Sequence, residues 1–405
     1  MDKRNKMTML NYIAVLSIFL FSGAGTFMNA AVQTMIDAWP NVPVSTVRMV
    51  VSLPPLIALP VILYVGTAVG NKLSYRFCAI VGTASVVVAG VAPYFFYSNW
   101  GLVLAFRALL GAGVGLLGIR NSLVLASVPE DKRASYIGYG TVLFNGSAML
   151  ANLVVGVLAD YSWRHPFLFD GLAIIPLVIM IFFLKEPEKV DRTSKKGNAA
   201  GTTVEAGKER TSWRIYYYYA MQVVTTAALY PLLSGLSTYI AGNKIGSVLV
   251  VGTILAVYQL AGALSNMVLN PIQKFFKQYT IGVMCILVAV GTALILFVPK
   301  IPVIFVGAAL AGIGWNIMVS MFQVYNGQVA SPQKMAFSST VLVAMMRLGI
   351  FASTYFITVC HSVFHRSTDA ESAFIGCLII YVILTVIAFV CKVAPEKYYS
   401  QKTNS

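Results

Sequence analysis

The sequence has little charge and few of the residues that form metal or covalent-catalysis sites. Charged residues make up 11% of the 405 residues, whereas a soluble globular protein carries roughly 25%. The five cysteines are scattered without a CxxC pair, and no Walker phosphate-binding loop occurs. With a hydrophobic fraction of 58%, the chain could not cover a soluble surface with polar groups. We therefore expect a membrane protein that is not an enzyme, holds no metal or cofactor and is not driven directly by ATP.

Uncharged stretches long enough to cross a bilayer recur along almost the whole chain. A crossing helix needs about 20 residues, and continuous apolar runs without the alternation of barrel strands indicate helices. The pattern predicts an all-α integral membrane protein with twelve transmembrane helices. These predicted spans, numbered 1 to 12 in chain order, lie near residues 11–36, 49–71, 77–93, 101–126, 134–159, 167–184, 215–243, 245–273, 278–299, 301–333, 335–360 and 372–394.

The longest polar stretch, Lys185 to Arg214, has the composition of a flexible linker and follows the sixth span. It predicts a first six-helix bundle at 1–184, a cytoplasmic linker at 185–214 and a second six-helix bundle at 215–405.

The significance of the formal charge of +15 depends on where the basic residues lie along the chain. With the amino terminus inside, 21 of the 29 Lys and Arg residues fall in cytoplasmic segments and three lie within spans. This bias follows the positive-inside rule, so it predicts a plasma-membrane protein with both termini in the cytoplasm rather than a nucleic-acid binder. The five basic residues assigned to external segments are Arg48, Arg164, Lys244, Lys300 and Arg366.

The three basic residues that lie well inside the predicted spans are all arginines. A charge near the membrane centre costs about 2.5 to 3.5 kcal/mol on insertion scales, so each needs a function or a partner. Acidic residues, Asp170 among them, are expected at external ends, in loops or in the cytoplasm, so that none opposes the arginines. Because a guanidinium fork suits a carboxylate or similar oxyanion, we predict that Arg347, Arg107 and Arg120 bind substrate.

Each arginine also has a structural interpretation. Arg347, about halfway along span 11, would lock helix packing through carbonyls or amides. Arg107 would bond within the first bundle, and Arg120 lies where its side chain can extend to the cytoplasmic surface. Arg107 and Arg120 are separated by roughly 140° around span 4, so both cannot face one cavity equally well.

Uncharged polar residues recur at helical spacing on several spans. Single residues of this kind commonly form interhelical hydrogen bonds, whereas the set, together with neighbouring aromatic residues, favours a substrate cavity. The candidate cavity residues are Asn29 and Gln33 in span 1, Asn145 in span 5, Tyr230 in span 7, Tyr258 and Gln259 in span 8, and Trp315, Asn316 and Ser320 in span 10.

The two halves carry a weak internal repeat in spans 4 and 10. Residues 106–115 align with residues 305–314 without gaps and share Phe, Ala and two Gly, which pairs Gly113 with Gly312. Halves related by duplication are typical of many secondary transporters. Chance similarity between two helices rich in Gly and Ala is the alternative.

Several motifs resemble those of the major facilitator superfamily, and the resemblance covers essentially the whole chain. Arg107-x-x-x-Gly111-x-Gly113 is similar to its fourth-span signature, and the segment from Gly146 to Gly156 resembles its antiporter motif, with Asn152 in place of proline. The segment Trp163-Arg164-x-x-Phe167 matches a common pattern before span 6, and the loop after span 2 resembles the family's Asp-Arg-x-Gly-Arg-Arg loop, with Asn71 in place of Asp and basic Lys72 and Arg76.

The resemblance implies two pseudo-symmetric bundles around a cavity lined by spans 1, 2, 4, 5, 7, 8, 10 and 11. It also implies a gating role for the loop that contains Asn71, Lys72 and Arg76.

These features predict a monomeric secondary transporter in the lipid bilayer that moves a small organic solute by alternating access. Arginines without an embedded acid favour an organic anion, moved by exchange with a counter-substrate or by symport with a proton. One alternative is a proton-coupled efflux antiporter for drugs or amphipathic compounds, for which Asp37 is the convenient carboxylate. The other is a membrane sensor or scaffold that transports nothing.

Overall fold

The computed structural model describes residues 9–70, 72–129, 132–187, 214–329, 335–391 and 393–395, and these residues fold almost entirely into helices. In this described part of the chain, ten helices are long and apolar enough to cross a membrane. One further pair, Arg214–Ser234 and Leu236–Gly242, is long and apolar enough when taken together and is bent by 43° between its members. The predicted all-α membrane fold with two bundles is confirmed. The proposed linker lies mostly outside the described residues.

Span 1 consists of three short helices that together run the length of the first bundle. Near its start, the Asn11 side chain accepts a hydrogen bond from the backbone N–H of Lys185 at 3.2 Å. After its end, Trp39 packs against Trp100 with ring centroids 5.6 Å apart. Lys185 and Trp100 lie at opposite ends of the bundle, so this segment traverses it as the other spans do.

The helices of the twelve spans have the following bounds. Span 1 is Met9–Ser17, Ala24–Ala31 and Val32–Ala38; span 2 is Val44–Ala68; span 3 is Tyr75–Phe95; span 4 is Trp100–Leu116, Leu117–Ile119 and Arg120–Ser127; span 5 is Arg133–Tyr161; and span 6 is His165–Ala173 and Ile174–Phe183. Span 7 is Arg214–Ser234 and Leu236–Gly242; span 8 is Val248–Met267; span 9 is Leu269–Phe276, Lys277–Tyr279 and Thr280–Phe297; span 10 is Ile301–Val329; span 11 is Met335–Phe364; and span 12 is Asp369–Val390. Following the predicted orientation, we call the end with the loop at 39–43 the external end and the other the cytoplasmic end.

Glycines bring spans 4 and 10 against their neighbours. A Cβ atom at Gly111 in span 4 would lie 2.6 Å from the backbone oxygen of Pro54 in span 2, and one at Gly312 in span 10 would overlap the backbone oxygen of Tyr258 in span 8. Small residues let helices approach closely in lipid, where packing and not the hydrophobic effect drives their association.

The same contacts reveal the register of the internal repeat. Gly113 packs against span 3, and Gly314 packs against span 9. Spans 2 and 3 correspond to spans 8 and 9, so the contacts pair Gly111 with Gly312 and Gly113 with Gly314. The ungapped sequence alignment, which pairs Gly113 with Gly312, is therefore wrong by two residues.

We expect Gly312→Ala to destabilise the second bundle, because its methyl group has no room beside Tyr258. Overpacking of this kind costs about 1–3 kcal/mol. The apparent melting temperature of the purified protein in detergent should fall. Gly327→Ala is the matched control in the same helix, because nothing lies within 4 Å of a Cβ atom there. Equal melting temperatures for both variants would contradict the packing explanation.

Candidate functional site

A small cavity of about 70 Å³ lies between the bundles, beside the helix breaks of spans 1 and 7. Broken helices at membrane depth occur where protein encloses the freed backbone groups, and they often mark transporter binding sites. A site for a small organic molecule usually has about 300–1,000 Å³, so this cavity must widen to admit one. Its wall contains four of the predicted residues, Asn29, Tyr230, Tyr258 and Gln259, with Thr26, Phe27, Ala148, Asn152, Leu233 and Leu255.

The cavity residues Thr26 and Phe27 are not among the predicted site residues. They lie in the 3-10 helix Ala24–Ala31, where a regular helix was expected from hydropathy. Gly23 and Gly25 are the sequence signal that marks this break, because glycine punctuates otherwise helical patterns.

The bundles touch each other at the cavity and on its external side. The Tyr230 hydroxyl of span 7 donates to Asn29 Oδ1 of span 1 at 3.2 Å. Further out, Thr354 Oγ1 of span 11 donates to Ser52 Oγ of span 2 at 2.8 Å. These contacts close the external end in this conformation.

Arg48 and Asp369 join the bundles at the external end. The structure places Arg48 in span 2 at 2% exposure, not in a loop as the sequence suggests. Its Nη1 and Nη2 donate to the two Asp369 carboxylate oxygens at 2.5 and 2.9 Å, and Nη2 also lies 3.3 Å from Thr238 Oγ1. Such bidentate pairs are among the stronger charge-assisted hydrogen bonds. This contact between spans 2 and 12 is a candidate external latch.

Arg347 of span 11 and Arg120 of span 4 lie on opposite bundles. Arg347 Nε is buried without a hydrogen-bond partner. Arg120 Nη1 donates to Ser22 Oγ at 2.7 Å, and its guanidinium lies 4.4 Å from the ring centroid of Phe144. Among the described residues neither arginine forms an ion pair. Positive charges without an acidic partner suit an anion.

Arg107 is inside the first bundle and not in the cavity wall. Its Nη1 lies 3.3 Å from Asp170 Oδ2 of span 6, and both side chains are fully buried. The expectation that no acid opposes the arginines is therefore wrong for Arg107. Asp170 lies near the external end of its span, as expected, but on the helix face that packs against span 3, where only a glycine, Gly90, leaves room for it.

Arg107 also binds two backbone carbonyls. Pro54 has no N–H, so the carbonyl of Val50 four residues earlier in span 2 lacks its helical partner. Arg107 Nε donates to this oxygen at 2.9 Å, and Nη2 donates to the Gly25 carbonyl of span 1 at 3.0 Å. One guanidinium on span 4 thus ties together spans 1, 2 and 6. We assign it a structural role and remove it from the candidate substrate contacts.

Two predicted residues of span 10 hold the second bundle together. Asn316 packs against Gly262 of span 8, and its Nδ2 donates to the Gly312 carbonyl at 3.0 Å. Ser320 Oγ donates to Asn266 Oδ1 of span 8 at 2.8 Å. The polar stripes of spans 8 and 10 therefore face each other, which is the interhelical alternative considered from the sequence.

The other predicted residues lie apart from the cavity. Gln33 Nε2 donates to Asp37 Oδ1 at 2.7 Å in the outer part of span 1. Asn145 and Trp315 are partly buried on spans 5 and 10 and do not belong to the cavity wall.

The loop that resembles the family's gating motif is anchored within the first bundle. Asn71 lies outside the described residues, and Lys72 is exposed. Arg76 Nη2 donates to the Ile181 carbonyl at 2.7 Å, and the first two backbone N–H groups of span 3 donate to the Glu186 carboxylate at 2.8 Å each. A carboxylate at this helix end also interacts favourably with the helix dipole. The gating role of the loop stays a prediction.

Asp170→Asn should strongly destabilise the protein, because it leaves Arg107 as a buried charge without a partner. Breaking a buried ion pair from one side costs about 3–5 kcal/mol. We expect a lower apparent melting temperature in detergent. The double variant Arg107→Gln/Asp170→Asn should recover part of the loss, and Asp160→Asn, which changes an exposed acid, should behave like wild type. A double variant no more stable than Asp170→Asn would contradict this account.

Arg48→Ala should weaken closure of the external end, because it removes the ion pair between spans 2 and 12. Spin labels would be placed at exposed positions 41 and 243, one on each bundle, in a background in which the exposed Cys391 is replaced by serine. The distribution of label-to-label distances measured by pulsed electron paramagnetic resonance should broaden or shift to longer distances. The charge exchange Arg48→Asp/Asp369→Arg should restore the wild-type distribution. Arg366→Ala, which removes a neighbouring exposed charge, is the control. An unchanged distribution in Arg48→Ala would exclude a latch.

Comparisons with solved structures agree with this architecture. The nucleoside transporter NupG superposes with a TM-score of 0.73 at 12% identity, covering 98% of this chain and 100% of NupG. A D-xylose-proton symporter gives 0.68 at 14% identity, with 95% and 97% covered, and a bacterial homologue of the human lysosomal transporter Spinster, inward-facing and occupied, gives 0.68 at 14%, with 96% and 97% covered. At these identities the likeness establishes the fold alone.

Sequence relatives match shorter segments. The human proton myo-inositol cotransporter is 30% identical over 132 residues, which are 31% of this chain and 20% of that protein. The quinolone resistance protein NorA of Staphylococcus aureus is 23% identical over 128 residues, which are 31% of this chain and 32% of NorA. The matched segments thus span about a fifth and a third of these relatives. A family profile described as Major Facilitator Superfamily matches residues 13–242 and 218–405, nearly the whole chain. The chain belongs to the Major Facilitator Superfamily.

Proposed function

We propose that the protein is a secondary transporter of a small organic anion. The observation that carries the proposal is that Arg120 and Arg347, one on each bundle, have no acidic partner among the described residues. An anion bound by these guanidinium groups would supply the negative charge that the described residues do not offer them. A cationic substrate would instead add further positive charge.

Because Arg107 has a structural role, fewer residues support this proposal. Its charge is already compensated by Asp170, so it neither attracts nor repels a ligand in the cavity. The preference for an anion therefore rests on Arg120 and Arg347 alone.

We propose that the transporter alternates access by rocking its bundles about this site. Opening to the outside requires the Tyr230–Asn29, Thr354–Ser52 and Arg48–Asp369 contacts to separate. The protein would act as a monomer in the plasma membrane with both termini in the cytoplasm. It would exchange the anion for a counter-substrate or carry it with a proton.

A second candidate is proton-coupled efflux of amphipathic compounds. The similarity to a quinolone resistance protein supports it, as do the aromatic cavity residues Phe27, Tyr230 and Tyr258. Asp170 is a buried carboxylate, although the sequence predicted no acid inside the spans. The names of the relatives mention myo-inositol, D-xylose, nucleosides and quinolones, which indicate no common substrate class. The arginines without an acidic partner support the anion candidate.

Arg347→Ala should weaken anion binding at least tenfold. A hydrogen bond to a charged group contributes about 1.5–3 kcal/mol, and 1.4 kcal/mol corresponds to a factor of ten in affinity. Purified protein would be screened by thermal shift against carboxylates, phosphate esters, sugars and cationic drugs, because a ligand that binds the folded state stabilises it. Counterflow of a responding anion in proteoliposomes would then test transport.

The controls separate charge from general damage. Arg347→Lys keeps the charge but loses the planar fork, so it should retain part of the affinity. Lys300→Gln removes an exposed charge at the external end and should leave binding unchanged. Wild-type anion affinity and counterflow in Arg347→Ala would contradict the proposal. Thermal-shift responses confined to cationic drugs would favour the efflux candidate.

A further inference from the structure

A groove of about 360 Å³ lies between spans 1 and 5 at the cytoplasmic end of the first bundle, apart from the central cavity. Its residues occupy the starts of the helices Met9–Ser17 and Arg133–Tyr161. The volume is within the range of about 300–1,000 Å³ that is usual for sites of small organic molecules. We call it the tyrosine groove, and it is lined by Met9, Tyr12, Ile13, Leu16, Tyr136 and Tyr139.

The span 1 side of the groove is mostly apolar and open. Its four lining residues share one face of the helix, because they are spaced three or four residues apart. The exposed fraction is 79% for Met9 and 42% for Ile13. One turn deeper the two spans meet closely, since a Cβ atom at Gly140 would lie 2.5 Å from the ring of Phe19. The groove is therefore an apolar cleft that opens near the cytoplasmic surface and closes toward the membrane centre.

Three tyrosines add polar groups to this cleft. The ring centroids of Tyr12 and Tyr136 are 4.9 Å apart, and those of Tyr136 and Tyr139 are 5.8 Å apart. Across the described residues, none of the three hydroxyls has a hydrogen-bond partner in the protein. A tyrosine hydroxyl both donates and accepts, and tyrosines are enriched at the level of the lipid headgroups. The lining therefore suits an amphipathic ligand with an oxygen-rich headgroup and an apolar chain.

The sequence that leads into the groove is basic on the span 1 side. The eight residues before the first helix contain one acidic residue and three basic ones, Lys3, Arg4 and Lys6. Residues 130–133, at the start of span 5, contain two acidic and two basic residues and so add no net charge. Basic segments beside a membrane helix attract the anionic lipids of the cytoplasmic leaflet. An amphipathic cation would instead be repelled.

We propose that the tyrosine groove binds one anionic phospholipid of the cytoplasmic leaflet. An acyl chain occupies the apolar cleft, and the phosphate and glycerol oxygens accept hydrogen bonds from the tyrosine hydroxyls. The basic segment before Met9 attracts the net negative charge of the headgroup. Because the site is separate from the central cavity, the inference goes beyond the proposed function and holds for any transported substrate.

Lipids that share their acyl chains but differ in headgroup charge provide the first test. Purified full-length protein in detergent would be titrated with dioleoyl phosphatidylglycerol or dioleoyl phosphatidylcholine, and bound lipid would be counted by native mass spectrometry. Affinity for the first phosphatidylglycerol should exceed that for phosphatidylcholine by about tenfold. Glycerol 3-phosphate, which has the phosphate without acyl chains, should not compete. Equal affinities for the two lipids, or competition by glycerol 3-phosphate, would overturn the inference.

Substitutions that fill the groove test its location. Ile13→Trp should weaken phosphatidylglycerol binding by about tenfold, because the larger side chain occupies the cleft. Ile181→Trp, at a position of span 6 with a similar exposed fraction, is the matched control and should bind lipid like wild type. If Ile13→Trp fails to fold, Tyr139→Ala, which shortens an exposed lining side chain, should also weaken binding.

Charge variants test the source of the headgroup preference. Lys3→Gln/Arg4→Gln should remove most of the preference for phosphatidylglycerol while phosphatidylcholine binding is unchanged. Lys274→Gln/Lys277→Gln, which removes two exposed charges at the cytoplasmic end of the second bundle, should leave the preference intact. A preference that survives both Ile13→Trp and Lys3→Gln/Arg4→Gln would place the lipid elsewhere and overturn the inference.

Photolabelling in proteoliposomes identifies the occupant of the groove. Phosphatidylglycerol with a diazirine on its acyl chain should label the peptides that contain Tyr12 and Tyr136. Unlabelled phosphatidylglycerol should protect these peptides better than phosphatidylcholine does. Labelling confined to other peptides would contradict the assignment, as would protection by the amphipathic cation tetraphenylphosphonium but not by phosphatidylglycerol.

Discussion

The guanidinium of Arg107 binds groups that could not otherwise coexist inside a membrane protein. Pro54 leaves the Val50 carbonyl without a helical partner, Gly25 lies in the 3-10 helix of span 1, and Asp170 is a fully buried acid. In water each group would be solvated, but within a bilayer each unsatisfied group costs several kcal/mol. Arg107 contacts all of them, so the break, the proline and the acid depend on one side chain.

The contacts of Arg107 also position one wall of the cavity. Thr26, Phe27 and Asn29 follow Gly25 directly in the same short helix, so the segment that Arg107 holds also forms one wall of the cavity. The opposite wall includes Tyr230, which lies beside Pro231 and the bend of span 7. Discontinuous helices in corresponding positions of two repeats are a recurring basis of transporter sites. The position of one cavity wall therefore depends on Arg107, although Arg107 does not itself line the cavity.

The sequence predicts the helices well because apolar length is a property of the chain itself. Four residues predicted to face a cavity, Asn29, Tyr230, Tyr258 and Gln259, lie in the cavity wall, since spacing and span identity indicate a face. Their role in binding stays a prediction. It fails where partners are remote in sequence. Asp170 lies 63 residues from Arg107, and Asp369 lies 321 residues from Arg48, so neither pair leaves a local pattern.

The polar stripes on spans 8 and 10 illustrate the same difficulty. Spacing places Asn316 and Ser320 on one face of a helix, but that face meets span 8 and not the cavity. Helical period determines which residues share a face, whereas tertiary packing determines what the face meets. The alignment of the glycines of span 4 with those of span 10 likewise required the structure. Gly111 and Gly113 cannot be told apart in sequence until the helices that they contact are known.

Ligand binding and closure of the external end share one group. The Tyr230 hydroxyl joins the bundles through Asn29, and both side chains line the cavity. A ligand that enters the cavity would therefore change the environment of the hydrogen bond that must break when the external end opens. A ligand shifts a conformational equilibrium only by as much as its binding free energy differs between the two states. Tyr230 supplies such a difference, since its contact with Asn29 exists in the closed state and must be lost in the open one. In the proposed cycle, this residue rather than the more remote Arg48–Asp369 pair would transmit occupancy of the site to the gate.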